Sequence, residues 1–290
     1  MKWIDYANPT SLSDALGLMA EHKGRARALA GGTDILVQLR TGGKDPDLLV
    51  DVKEVPELNE LTYSAGAGLI MGAAVPCYLI YADENVKSHY PAIMDVATLI
   101  GGTQIQGRAS FGGNLCNSTP SADSIPAMIA LGAICNIAGP GGTRQVPAEE
   151  FCTGPSKNVL APDELLVSIA YPPPPPNFGA NYIRFIPRNE MDIAVAGAGV
   201  SVELDNGTFK SARISLASVA PTPLFVREAG DALVGKPVNE ESVQVAAEIA
   251  RDAARPITDM RGTIEYRKHL CEVLTRRALN TAIERAKEAR

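Results

Sequence analysis

Two short stretches of the 290-residue chain carry residues suited to holding an anion. The first is Ala30-Gly31-Gly32-Thr33-Asp34, inside RARALAGGTDILVQLR, and the second is Ser110-Phe111-Gly112-Gly113-Asn114. Glycines without a Cβ let backbone N–H groups approach a phosphate closely, a neighbouring hydroxyl can donate to its oxygens, and a helix start adds favourable partial charge. One such loop alone reads more readily as a plain strand-to-helix turn. Two in one chain suggest a diphosphate held from two sides. On this reading a side chain at Gly32 would stand where a phosphate belongs.

The pattern excludes two familiar nucleotide folds. Neither loop has G-x-G-x-x-G, and no glycine pair is followed by Lys-Ser or Lys-Thr. Asp51 stands at the distance of a Rossmann ribose carboxylate from the first loop, but it follows an intervening loop and lies in a different strand. Gly42-Gly43 and Gly141-Gly142 sit beside polar or proline-containing turn residues, where turn geometry explains them.

The rest of the composition offers little other chemistry. The five cysteines, Cys77, Cys116, Cys135, Cys152 and Cys271, are widely spaced and form no C-x-x-C pair, so a metal or disulfide framework is not expected. They read as buried or unreactive thiols. His22, His89 and His269 are equally scattered. A net charge of −6 with no basic stripe disfavours nucleic acid as a partner. No signal peptide and no apolar run of about 20 residues is present, so a cytoplasmic protein without a membrane span is expected.

The elements that must position the two loops follow from periodicity and turn chemistry. Ser11 caps a helix with Leu12, Ala15, Leu16 and Met19 on one face, RARALA is a strand, Asp34 to Arg40 a short helix, and Leu48 to Val55 a strand. Residues 1–57 thus form a small α/β unit. The second unit, 58–176, holds the strand LIMGAAV, a helix after Pro91, a long functional loop from Ile100 to Pro126, a short helix over Ala127 to Leu131, a hairpin through GPGG, and the strand ELLVSIAYP. Five prolines, Pro172 to Pro176, act as a stiff spacer rather than as a ligand for another protein. Residues 177–290 carry three β-rich runs, with Asp205-Asn206-Gly207 at a hairpin, and then two helices, an α+β arrangement.

Taken in order, RARALAGGTDILVQLR, LLVDVKEVPEL, IGGTQIQGRASFGGNLCNSTPSADSIPAMIALGA, DELLVSIAYP and YIRFIPRNEMDIAVAGAGV resemble the FAD-binding medium subunit of molybdenum hydroxylases, the xanthine dehydrogenase and carbon monoxide dehydrogenase group. The resemblance spans essentially the whole chain. It implies an α+β flavoprotein of the vanillyl-alcohol-oxidase (PCMH) type, with two FAD-binding subdomains and a C-terminal α+β domain. By the same resemblance, Ala30, Gly31, Gly32, Thr33 and Asp34 wrap the FAD diphosphate from one side, and Ser110, Gly112, Gly113 and Asn114 from the other. Asp123 matches an acidic residue at the ribose or ribityl hydroxyls, Gly101 a backbone contact near the isoalloxazine, and Leu166 an apolar residue of the flavin pocket. Arg184 matches a basic position near the pyrimidine edge, where a fixed cation would raise the reduction potential; an exposed strand arginine is the plain alternative. Where the family has Arg-Asn before its second loop, this chain has Gln106-Gly107 and then Arg108, which leaves the role of that arginine open.

The function implied is electron transfer. FAD on this chain would take electrons from [2Fe-2S] clusters of a small partner subunit, fed by a molybdenum cofactor on a large one, and hand them to NAD, a quinone or another external acceptor. A dimer of heterotrimers is the expected assembly. No nucleophile–base constellation is visible, as suits a subunit that breaks no substrate bond. A self-contained FAD oxidoreductase and a non-catalytic assembly subunit are the rival readings.

Overall fold

In the computed structural model, residues 3–188 and 190–289 are described, and Met1, Lys2, Asn189 and Arg290 lie outside. The first layer is built from β1 (Asp5–Ala7), α1 (Leu12–Glu21), β2 (Ala26–Leu29), α2 (Ile35–Thr41), β3 (Leu48–Asp51) and α3 (Pro56–Asn59). Ser11 Oγ accepts from the Asp14 N–H at 3.1 Å and so fixes the start of α1. The strands form a parallel sheet in the order β1-β3-β2, and all four residues of the central β3 are buried. That strand is shorter than the run to Val55 suggested. Val55 donates back to Val52, closing a turn, and Pro56 opens α3.

The second layer comprises β4 (Leu61–Ser64), β5 (Gly68–Gly72), α4 (Cys77–Ala82), α5 (Glu84–His89), α6 (Pro91–Ala97), α7 (Thr103–Gln106), α8 (Phe111–Asn117), α9 (Ser124–Ala130), β6 (Ile134–Gly139), β7 (Gly142–Pro147), α10 (Ala148–Phe151), β8 (Cys152–Gly154), β9 (Lys157–Asn158) and β10 (Leu165–Tyr171). Its antiparallel sheet runs β4-β5-β10-β6-β7, so the last strand in sequence lies at the centre. Tyr90, Ile93, Phe111, Leu115 and Phe151 fill the core beneath it.

The segment from Ile100 to Pro126, expected as a long loop, is about half helical, holding α7, α8 and the start of α9. Ser110 Oγ accepts from Gly113 N at 3.1 Å and caps α8, while Phe111 and Leu115 anchor the helix in the core. Gly112 permits close packing: a Cβ there would lie 2.4 Å from the Ala73 carbonyl oxygen. Small residues in this stretch therefore mark tight contact rather than a loose chain.

The third layer holds β11 (Phe178–Phe185), β12 (Ala196–Asp205), β13 (Thr208–Ala217), β14 (Leu224–Phe225), α11 (Arg227–Asp231), α12 (Glu240–Ala253) and α13 (Ile264–Glu288). The strands form an antiparallel meander in chain order, turned at Asn206 and Gly207 with φ of 47° and 82°. α12 and α13 pair, with α13 laid over β11 and β12, while α9 of the second layer also packs on β12 and β13. Nine of the ten residues of β12 escape full exposure, which explains its continuous small and apolar composition. Asp95 of α6 ties the layers together, accepting from Arg285 Nη1 at 2.7 Å, Arg285 Nη2 at 2.9 Å and Asn181 Nδ2 at 2.7 Å. Among the described residues no helix is long and apolar enough to cross a membrane.

Candidate functional site

A cavity of about 450 Å³ opens between the first and second layers. Its walls include Ala30 to Asp34 from the turn between β2 and α2, and Ser110, Gly112, Gly113 and Asn114 from the start of α8. Leu166, from the central strand β10, and Ile100 supply apolar surface. Both glycine stretches and Leu166 are thus gathered at one site.

The first loop has a property that sequence alone does not reveal. Among the described residues the backbone N–H groups of Gly31, Gly32, Thr33 and Asp34 have no hydrogen-bond partner, although Gly31 and Gly32 are buried. Buried backbone donors are nearly always paired, so the two buried orphans at Gly31 and Gly32, continued by those of Thr33 and Asp34 toward the surface, form a nest that an anion would satisfy. Gly32 makes the nest possible by adopting φ of +81°. A side chain there would press on Leu29 and Leu36, at 3.2 and 3.1 Å from its Cβ, so the expectation that it would occupy the phosphate position is corrected. Gly31 is needed for another reason: its Cβ would fall 1.9 Å from the Arg108 carbonyl oxygen.

Arg108, whose role the sequence leaves open, spans the two loops by donating from Nε to Gly31 O at 2.9 Å. Gln38 of α2 donates to Asn117 Oδ1 of α8 at 2.8 Å, a second bridge between the walls. Both residues line the cavity, and neither carries a signal in its local sequence. Asp51, at the Rossmann distance, is held by Tyr6 at 2.6 Å and Lys53 at 2.5 Å. Burial pushes its carboxyl up, but the Lys53 and Tyr6 hydrogen bonds outweigh this and leave it below the usual range.

Three of the expected site residues do not reach the cavity wall. Asp123 and Arg184 meet each other, Nη1 to Oδ2 at 2.5 Å, and Tyr182 gives its phenol to Asp123 Oδ1 at 2.6 Å. Arg184 is buried, not an exposed strand arginine, and its Nη2 also donates to Leu99 O at 2.9 Å. Burial pushes the Asp123 carboxyl up against the pull of Arg184 and Tyr182. Burial and the neighbouring Asp123 hold the Tyr182 phenol well above its ordinary value, so it remains a donor. Gly101 lies next to the lining residue Ile100 with φ of +59°, its left-handed turn folding back on Ile105.

The cavity is equipped to hold a ligand rather than to attack one. Burial pushes the Cys116 thiol in its wall up to about 12, which removes it as a nucleophile. Glu164 is engaged by Arg144 through two bonds of 2.7 Å. No cluster able to hold a metal ion occurs among the described residues. An open cleft between a small parallel sheet and an antiparallel one, with an anion nest at its rim, is the arrangement of a protein that holds a phosphate-bearing ligand between two subdomains.

Comparison with known proteins gives the family. Residues 2–174 match the FAD binding domain in molybdopterin dehydrogenase, and residues 181–282 the CO dehydrogenase flavoprotein C-terminal domain. The chain is 33% identical to the putative xanthine dehydrogenase FAD-binding subunit of Escherichia coli (strain K12) over 285 residues, covering 98% of this chain and 97% of that protein. It is also 33% identical to the carbon monoxide dehydrogenase medium chain of Afipia carboxidovorans over 284 residues, with 98% of each chain covered. A chain of carbon monoxide dehydrogenase from Hydrogenophaga pseudoflava superposes with a TM-score of 0.94 at 31% identity over 98% of both chains. The chain belongs to the family of FAD-binding medium subunits of molybdenum hydroxylases.

Proposed function

We propose that this chain holds FAD in the cleft between residues 1–57 and 58–176, with its diphosphate on the nest of Gly31 to Asp34 and its ring system toward Ile100 and Leu166. The row of orphaned N–H groups at residues 31–34 carries this reading. Ser110 Oγ, already an acceptor for Gly113, keeps its own proton to donate. The Asp123–Arg184 pair stands behind the ring end, with Gly101, as an electrostatic backing, and residues 177–290 brace it through β11.

When bound, FAD couples one-electron and two-electron steps. The chain's residues bind and orient it, and no side chain in the cavity is placed as an acid or base for a substrate. We infer that electrons arrive from [2Fe-2S] clusters on a small partner subunit, after oxidation at a molybdenum cofactor on a large one. They leave to an external acceptor such as NAD or a quinone. A dimer of heterotrimers in the cytoplasm is the assembly this reading favours.

The test is the flavin itself. The purified chain is expected to show flavin absorbance near one FAD per chain, or to take up FAD when it is supplied. A chain that binds none would overturn the reading, and substrate turnover by this chain without partners would replace it with a self-contained oxidoreductase.

A further inference from the structure

Asn114 is the one amide side chain in the second glycine loop, and its orientation is set from outside the loop. Its Oδ1 accepts from Ser124 Oγ at 2.7 Å and from Ser124 N at 3.3 Å. A backbone N–H can only donate, so the atom facing it must be the amide oxygen. The other branch, Nδ2, has no partner among the described residues and belongs to a side chain that lines the cavity. Ser124 is wholly buried, so solvent does not compete for its hydroxyl.

We propose that Ser124 is a positioning residue for the cofactor diphosphate, acting through Asn114. By holding Oδ1, it keeps the two Nδ2 donors directed at the anion. Without the hydroxyl only the longer 3.3 Å bond from the Ser124 N–H still holds Oδ1, and the amide turns over more readily to present an acceptor oxygen to phosphate oxygens, which repel it. The proposal rests on the reading that the cavity holds the diphosphate of FAD. Glu164, in the cavity wall, is engaged by Arg144, and Asp123, at the start of α9, by Arg184 and Tyr182, so neither carboxylate competes for Nδ2.

The experiment titrates FAD into the flavin-free full-length chain and follows flavin fluorescence. Ser124→Ala is expected to weaken FAD binding by about tenfold, the scale of one charge-assisted hydrogen bond. Asn114→Ala is expected to weaken it at least as much, and adding Ser124→Ala to Asn114→Ala should then cost nearly nothing more, because the two act through one side chain. Asn114→Asp keeps the acceptor for Ser124 but replaces the donors with a charge, and should weaken FAD binding by about a hundredfold. Wild-type affinity in Ser124→Ala or in Asn114→Asp would overturn the proposal, as would equal losses from Ser124→Ala in both backgrounds. If Ser124→Ala does not fold, Ser124→Cys, which replaces the hydroxyl with a weak donor of similar size, is read in its place, and wild-type affinity there overturns the proposal. Failure of the wild-type chain to bind FAD would instead overturn the cofactor assignment.

Discussion

Gly31 and Arg108 meet twice across the cleft: Arg108 Nε donates to Gly31 O at 2.9 Å, and the Arg108 carbonyl oxygen fills the place a Gly31 Cβ would need. The two loops that flank the cavity are thus in backbone contact, and their spacing is set by the absence of one methyl group. Gly31→Ala is expected to push them apart, destabilising the fold by about 3 kcal/mol, the upper range of an overpacking substitution. Thermal unfolding of the flavin-free chain measures it.

Gly32→Ala should act differently from Gly31→Ala. Its φ of +81° costs an L-residue about 1–2 kcal/mol, and the crowding by Leu29 and Leu36 is with side chains that can shift. The expected result is a protein that folds with a modest loss of melting temperature and a distorted nest, so FAD affinity falls by more than stability does. Equal losses in denaturation and FAD titration would show that the nest geometry is not the sensitive quantity.

Gln38 and Asn117 bridge the cavity walls side chain to side chain. Gln38→Ala is expected to leave folding nearly unchanged and to raise the FAD dissociation rate several-fold, in line with a neutral hydrogen bond of about 1 kcal/mol. Stopped-flow dilution with flavin fluorescence reads that rate.

Acid should loosen the cavity from its Glu164 side. Hydrogen bonds from Arg144 hold Glu164 below the ordinary carboxyl value, against burial and with help from the Ala161 N–H. A depressed folded-state value stabilises the protein above the unfolded glutamate value of about 4.3, and that stability is lost as pH falls through the folded value. Glu164→Gln should therefore flatten the acid limb of a stability–pH curve below about pH 4.5 and lower the plateau above it. Urea midpoints between acid and neutral pH are the measurement.

Removing Asp95 should detach the C-terminal layer. Asp95→Ala leaves Asn181 Nδ2 without its acceptor and the half-buried Arg285 guanidinium with the Ala180 carbonyl in place of a carboxylate, a loss of about 2–4 kcal/mol for a partly buried pair. Proteolysis near the proline run Pro172–Pro176 should become faster in this variant, while FAD content changes less.

Much of this architecture is legible in the sequence where the signal is local. Ser11 is a helix cap, Asp205-Asn206-Gly207 a hairpin tip, and the alternating or continuous apolar runs are the strands they resemble. The Ile100 to Pro126 segment misleads because glycine and serine suggest a loop, whereas here Gly112 is spent on contact with Ala73 and Ser110 on a cap. The glycine loops are recognisable by type, but the reason for each glycine is not. Gly31 answers to Arg108, which is remote in sequence, and no local pattern contains that contact. The pairing of Asp123 with Arg184 is invisible for the same reason, since it joins α9 to β11.

The central place of β10 has a consequence for how the molecule is made. β5 and β6 do not pair with each other; each pairs with β10, whose residues 165–171 leave the ribosome after both. Until that strand inserts, the middle sheet is two separate pieces and the wall carrying Leu166 does not exist. Non-local pairing of this kind is slow and comes late in folding. The nascent chain therefore has no completed cleft to load during the first half of its synthesis, and a ligand can be captured there only after β10 has been made.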